Sequence, residues 1–320
     1  MEKDAEGEEC STVRILFFGT SEFAVAPLNL LSQYGFDIAG VVSTPDKKGK
    51  RGKKLIEPPV KVAAKKLSLE VYQPEKLKTD EAFKKIESFK ADIFVVVSYG
   101  KFLPDSILSI PRLKAVNIHP SLLPKYRGPS PINYALLNGD KYTGVSIIDV
   151  SSEMDAGDIY MQWVEKINEN DNYETLHNRL SKIGSNMVAC VLNALEGGEV
   201  KPKKQDNKKA TYSKIIKKED GKIDFKKMDA ETIVNMVKAY YEWPSAYFYH
   251  KGKMFKIYEA KKIDEDAEAS TVSKLTKKEL VIGCAKGSLS VKKIQPESKK
   301  PMDIKAFLAG YRFEIGETIG

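Results

Sequence analysis

Leu113-Lys114-Ala115-Val116-Asn117-Ile118-His119-Pro120-Ser121-Leu122-Leu123-Pro124 is a short apolar strand that runs out into a polar turn. Asn117 and His119 stand two apart, so both side chains leave the same face at the strand's C-terminal end. In open α/β sheets that edge is where ligands bind. Outward from it the chain alternates. Apolar runs at 13–18, 38–42, 93–97, 115–118 and 145–150 read as strands, and the spans between carry helical spacing, for instance 60–67 and 81–88. This pattern predicts an α/β, Rossmann-like, doubly wound parallel sheet. The first turn, Gly19-Thr20-Ser21-Glu22-Phe23, lacks the later glycines of a dinucleotide fingerprint, and Ser43-Thr44 stands where an acid would end the next strand. Nicotinamide chemistry is therefore not expected.

A long helix at 173–195 closes this first domain, expected over 12–200, before Gly197-Gly198. The polar, Pro-containing stretch 201–210 has the composition of a linker. From 211 to 320 the period changes to short strands, 246–249, 254–260, 279–284 and 288–294, with Gly252 and Gly287 in tight turns, which favours a small β-barrel. The acidic run 264–268 reads as a surface turn, and 1–11 as an acidic N-terminal extension.

Composition narrows the class. With 42% hydrophobic and 9% aromatic residues in 320, the chain is long enough for two domains with cores of their own. No apolar stretch approaches the roughly 18 residues of a membrane helix, so no membrane association is expected. Cys10, Cys190 and Cys284 lack metal-ligand or disulfide spacing, so no metal is expected. Five acidic residues within the first ten argue against a secretory or transit segment, and a reducing cytoplasm is the expected setting.

Charge is unevenly spread. From Lys201 onward there are 27 Lys and Arg against 17 Asp and Glu, which outweighs the whole chain's net +8. The first 200 residues hold one dense basic tract, Lys47-Lys48-Gly49-Lys50-Arg51-Gly52-Lys53-Lys54. Taken alone, such a loop reads equally well as solvated surface. Beside a basic second half it reads as one jaw of a clamp on nucleic acid.

The polar edge after the quoted strand has a partner in Met154-Asp155-Ala156-Gly157-Asp158. An Asn amide and a protonated His can hold an oxygen on which negative charge develops, while an Asp orients the imidazole and favours its charged form. The same His–Asp pair can carry a proton from an attacking amine, so the set suits acyl transfer to nitrogen without a Ser or Cys nucleophile. An isolated Asn-x-His is more often only a strand cap and a turn. His177 and His250 read as structural or surface residues.

Over nearly its full length the chain resembles the folate-dependent formyltransferases. The matching segments are Phe17-Phe18-Gly19-Thr20-Ser21-Glu22-Phe23, Thr44-Pro45-Asp46, Arg51-Gly52-Lys53-Lys54-Leu55, Val97-Ser98-Tyr99-Gly100 with Leu103-Pro104, the Asn117–Pro124 run and Asp155. Later come Thr211-Tyr212-Ser213-Lys214, Tyr241-Glu242-Trp243-Pro244 and Phe307-Leu308-Ala309-Gly310. Two stretches depart from the usual pattern: Lys50 intervenes before Arg51-Gly52, and 151–154 differs just ahead of Asp155.

The resemblance implies Asn117, His119 and Asp155 as the catalytic trio, and 10-formyltetrahydrofolate as formyl donor. It places the reduced folate against Ser98, Tyr99, Gly100, Phe102 and Leu103 and against Ser121, Leu122, Leu123 and Pro124, although Phe102 and Leu103 read equally as core of the following helix. It makes the second domain an OB-like barrel that helps hold aminoacylated initiator tRNA, with Lys47, Lys48, Lys50, Arg51, Lys53 and Lys54 on the same RNA. The acceptor is then the α-amine of methionine esterified to that tRNA, and the protein a monomer in a bacterial cytoplasm. A small-amine acceptor, such as a purine precursor or an amino sugar nucleotide, would not need the basic loop. A non-catalytic RNA-binding protein would not need the trio.

Overall fold

The computed structural model describes residues 13–49 and 55–320. The acidic extension and four cations of the basic loop, Lys50, Arg51, Lys53 and Lys54, lie outside the described residues. The chain divides into two compact units: the first runs to Arg127 and takes in Gly144–Glu165 and Asn178–Tyr212, and the second comprises Gly128–Thr143, Lys166–His177 and Ser213–Gly320.

The first unit is built on a seven-stranded sheet. In chain order the strands are β1 (Arg14–Gly19), β2 (Asp37–Val42), the hairpin β3 (Lys47–Lys48) and β4 (Leu55–Ile56), β5 (Val71–Tyr72), β6 (Ile93–Val97), β7 (Lys114–His119), β8 (Tyr142–Asp149) and β9 (Ile159–Lys166). They lie in the order β5-β2-β1-β6-β7-β8-β9, with β3 and β4 paired apart. Pairing is parallel from β5 to β7, and β8 runs antiparallel to β7. Ile15, Leu16, Phe17 and Phe18 are all fully buried on β1, as expected of a strand covered on both faces. The chain winds from β1 outward to β2 and β5 and then returns to β6. The switch of direction therefore falls between β1 and β6, and beyond the C-terminal ends of such strands is where ligands bind in open sheets.

Helices α1 (Val25–Gln33), α2 (Pro59–Lys66), α3 (Asp80–Ser88) and α4 (Asp105–Leu108) form the crossovers. Thr79 caps α3 by accepting from the Ala82 amide at 3.2 Å, a contribution of about 1 kcal/mol. The strands and helices read from sequence lie within a few residues of the observed ones. Strand β9 was not foreseen, because Ile-Tyr-Met-Gln-Trp-Val lacks a clean two-residue alternation and its side chains are largely exposed.

Residues 201–210, expected as a linker, are docked on the first unit. Lys203 and Ile159 exchange two backbone hydrogen bonds of 2.8 Å each. The Arg127 amide donates to Thr211 O at 2.8 Å, and the Thr211 amide to Pro124 O at 3.2 Å. Division by packing thus differs from the composition-based boundaries, since 201–212 joins the first unit while 128–143 and 166–177 join the second.

The second unit holds α5 (Pro131–Leu137), α7 (Ala230–Ala239), α8 (Ile304–Leu308) and an antiparallel sheet of β10 (Ala246–His250), β11 (Lys253–Ile263), β12 (Val272–Leu275), β13 (Leu280–Gly283), β14 (Ser288–Pro296) and β15 (Met302–Asp303). Helix α6 (Tyr173–Glu196) begins in this unit and ends in the first. The strand order is β10-β11-β14-β13-β12 with β15 on β14, and irregularities at Ile257/Glu259 and Glu259/Ala260 interrupt the register of the long β11. This is the small antiparallel domain expected of an OB-like barrel. Asn133 donates from Nδ2 to Ala239 O at 2.7 Å and ties α5 to α7. His250 is buried against Phe313, donor or acceptor to Tyr311 Oη at 2.8 Å, so it is part of an aromatic core rather than a surface residue. Among the described residues no helix is long and apolar enough to cross a membrane.

Candidate active site

The polar edge of the sheet assembles as the strand reading required. Asn117 and His119 leave the end of β7, and the loop between β8 and β9 brings Asp155 to them. Asp155 Oδ2 lies 3.6 Å from His119 Nδ1, and Asn117 Nδ2 lies 3.5 Å from Asp155 Oδ1. The His119 side chain is 5% exposed and that of Asp155 18%, so the pair is largely desolvated. His119 Nε2 is 3.0 Å from Tyr126 O. A carbonyl only accepts, so Nε2 carries a hydrogen, and Nδ1 is the ring nitrogen turned toward the carboxylate.

Asp155 has a left-handed backbone, φ 50°, sparsely populated for a residue with a side chain. Three contacts hold it there. The Asp149 amide donates to Asp158 O at 2.9 Å and closes the base of the loop. Gly157 packs so tightly against that base that a Cβ would stand 1.8 Å from Asp149 O. The third is Gln205, whose Nε2 donates to Asp155 O at 2.8 Å and to Gly157 O at 2.7 Å. Tyr160 Oη donates to Asp149 Oδ1 at 2.7 Å, and burial, then this carboxylate, push its phenol far above the usual range.

Of the residues expected to meet the folate, the structure separates those exposed at the switch point from those whose side chains fill the core. Tyr99 is 2% exposed and packs edge-on to Phe18; burial raises its phenol well above the ordinary value. Leu103 and Leu123 are likewise buried, whereas Phe102 is 56% exposed. Anchored by Tyr99, the turn leaves Ser98 and Gly100 exposed with φ of 46° and 81°. Thr20 Oγ1 donates to Tyr99 O at 2.7 Å and Ser21 Oγ to Ser98 Oγ at 2.7 Å, so the ends of β1 and β6 are bridged at the switch point. On the other stretch the Ser121 hydroxyl is buried and donates to Lys125 O at 2.6 Å, and Leu122 and Pro124 are half-buried.

Lys47 and Lys48 are exposed on the β3–β4 hairpin. Beneath it, Lys61 Nζ meets Asp46 Oδ2 at 2.7 Å and Glu57 Oε1 at 3.1 Å and so ties both feet of the loop. Gln73 adds a bond to Asp46 Oδ1 at 2.8 Å. The Lys61 and Gln73 hydrogen bonds lower the Asp46 carboxyl, and the bond to Asp46 raises the Lys61 ammonium.

Sequence reading missed two residues of the site, Arg127 and Gln205. An Arg before a Gly in a turn and a Gln in a Lys-rich stretch carry no local signal; only the fold brings them to Asp155.

The formyl transferase family model matches residues 13–192, and the formyl transferase C-terminal domain matches 215–312. Methionyl-tRNA formyltransferase of Geobacter metallireducens is 37% identical over 306 residues, 96% of this chain and 98% of that protein. The methionyl-tRNA formyltransferase of Thermodesulfovibrio yellowstonii is 41% identical over 302 residues, 94% and 97% of the two chains. Among solved structures, HypX from Aquifex aeolicus with tetrahydrofolic acid aligns at TM-score 0.65 and 18% identity, over 94% of this chain and 47% of HypX. An N-formyltransferase from Helicobacter canadensis, solved with folinic acid and dTDP-3-aminofucose, aligns at 0.64 and 18%, over 89% and 100%. The structural likeness bears on fold alone, whereas the sequence matches run through both domains, and the chain belongs to the methionyl-tRNA formyltransferase family of formyl transferases.

Proposed function

We propose that this chain transfers the formyl group of 10-formyltetrahydrofolate to the α-amino group of methionyl initiator tRNA, giving formylmethionyl-tRNA for translation initiation. The observation that carries this reading is the meeting of Asn117, His119 and Asp155 at one sheet edge, in a chain 37% identical across both domains to a methionyl-tRNA formyltransferase.

The residues divide the work. His119, with its Nε2 hydrogen committed to Tyr126 O, receives the amine's proton at Nδ1. Asp155 faces that nitrogen and stabilises the imidazolium as it forms. When the tetrahedral adduct collapses, the bond from its carbon to N10 of the folate breaks and the imidazolium returns the proton to that nitrogen, releasing tetrahydrofolate. Asn117 Nδ2 is the donor available to an oxygen that gains charge as the amine adds, in a largely desolvated setting where such a bond is worth more than in water. The low exposure of His119 keeps competing water from its ring.

The folate is held at the switch point by the exposed backbone of Ser98 and Gly100, with Phe102 beside them and Ser121, Leu122 and Pro124 on the opposite stretch. Tyr99, Leu103 and Leu123 act from the core by fixing the two turns. Ser98, Gly100 and Phe102 are exposed there while Tyr99, Leu103 and Leu123 are buried, which supports a place for a flat ring system. The tRNA is gripped by Lys47, Lys48, Lys50, Arg51, Lys53 and Lys54 and by the basic second unit. The protein acts as a monomer in a bacterial cytoplasm.

The test is formyl transfer to charged initiator tRNA, run beside uncharged tRNA and free methionine. Transfer to the charged tRNA alone is expected. Efficient formylation of a free amino acid or an amino sugar nucleotide would overturn the choice of acceptor.

A further inference from the structure

Among the described residues Arg127 is the largest fully buried side chain, at 1% exposure, and it lies beside the loop that carries Asp155. Burying a guanidinium is costly unless its donors are met. Its Nε and Nη2 donate to one acceptor, Gln205 Oε1, at 3.1 and 2.8 Å. Nη2 also donates to Asn207 Oδ1 at 2.7 Å, and Nη1 stands 3.7 Å from Glu153 Oε1. The double donation fixes which way the Gln205 amide points. With Oε1 held by the guanidinium, Nε2 must face the other way, and there it binds the carbonyls of Asp155 and Gly157 at 2.8 and 2.7 Å.

The preceding residue completes the pattern. Tyr126, φ 58°, gives its carbonyl to His119 Nε2 and takes the Thr211 Oγ1 at its own amide, 2.9 Å away. One dipeptide, Tyr126-Arg127, thus orients the imidazole directly and the carboxylate through Gln205. It is itself pinned by Thr211, just past the stretch 201–210 that composition marks as a linker.

We propose that Arg127 and Gln205 are positioning residues for formyl transfer: Arg127 orients the Gln205 amide, and the amide holds the left-handed Asp155 so that its carboxylate faces His119 Nδ1. This rests on the function proposed above. A carboxylate displaced by about 1 Å from the ring nitrogen loses on the order of 100-fold in rate.

Gln205→Glu separates positioning from packing. It keeps the volume and gives Arg127 a carboxylate to bind, but it replaces the amide donors with oxygens that repel the Asp155 and Gly157 carbonyls. In the full chain we expect thermal stability to be kept, kcat to fall 10- to 100-fold, and KM for folate and for charged tRNA to stay within about two-fold. Combined with Asp155→Asn, the same change should cost almost nothing further, since the group it positions is already lost. Arg127→Lys, which keeps charge without the two-pronged donation, should reproduce the kcat loss and serves as the second variant if Gln205→Glu does not fold. Wild-type kcat in Gln205→Glu or Arg127→Lys, or an undiminished cost on the Asp155→Asn background, would overturn the assignment. Failure of the wild-type chain to formylate charged tRNA would instead sink the functional reading itself.

Discussion

The carboxylate of Asp155 stands 3.6 Å from Nδ1 of His119 while its other oxygen lies 3.5 Å from the Asn117 amide. One acid therefore touches both other members of the trio, although it arrives on a separate loop. Removing any of the three should break the same function. His119→Ala, Asp155→Asn and Asn117→Ala are each expected to lower kcat at least about 100-fold, the usual scale for a positioned proton carrier or oxyanion donor. Circular dichroism should be unchanged. Near-wild-type turnover in a folded His119→Ala protein would show the trio to be misassigned.

Gly157 gives a second handle on Asp155, this time through backbone. A Cβ there would stand 1.8 Å from Asp149 O and 2.7 Å from its carbonyl carbon, and neither atom can retreat without breaking the Asp149–Asp158 bond. Gly157→Ala should cost about 1–3 kcal/mol of stability, as overpacking does, and should lower kcat at least ten-fold because the relaxing loop carries Asp155 with it. Thermal melts beside turnover measure both; a stable protein with full activity would mean that the loop yields without moving the acid.

These two predictions differ in how far they could be read from the chain alone. That Asn117, His119 and Asp155 meet was legible because Asn117 and His119 share one strand face and because an Asp-x-Gly-Asp stretch follows in family order. The parallel strands were legible for a related reason: 93–97 is apolar without interruption, as a strand covered on both faces must be. Arg127 and Gln205 were not, since their roles depend on 203–212 doubling back to pair with Ile159 and Thr211 with Arg127. Its lysines point outward and give it a linker's composition, while the backbone does the docking. Tyr99 and Leu103 mark a further limit: motif position put them at the folate site, but which side of a turn a side chain takes is decided by the core.

The C-terminal tail offers a pH test in the second unit. Glu317 accepts from Lys251 at 2.5 Å and lies 3.1 Å from His250 Nε2. The Lys251 bond, followed by the Glu314 amide and His250, pulls its carboxyl down to about 2 from an ordinary 4.5. A carboxyl depressed by folding adds stability that is complete above about pH 4.5 and is lost as pH falls toward about 2. Glu317→Gln should therefore melt lower than wild type at pH 6, and the gap should close on acidification. Two melting curves that stay parallel from pH 6 to pH 2 would rule this out.

Lys61 separates the shape of the basic loop from its charge. Its ammonium joins Asp46 at one foot and Glu57 at the other, so Lys61→Met frees the ends of the hairpin without removing any of Lys47, Lys48, Lys50, Arg51, Lys53 or Lys54. Without that bridge, holding the two feet together on contact costs roughly 1 kcal/mol more, so the KM for charged tRNA should rise about five-fold while kcat and folate affinity hold. The number of phosphates neutralised is unchanged, and the salt slope of tRNA binding should stay that of wild type. Replacing Arg51, Lys53 and Lys54 with alanine should do the opposite, flattening the slope by roughly 0.7 to 0.9 log units per lost contact. Within that set Arg51→Lys alone should be costly, because a lysine cannot bind a phosphate with two parallel donors. Equal slopes for wild type and the triple variant would make the loop a solvated surface, and a small-amine acceptor would then explain the site better than tRNA does.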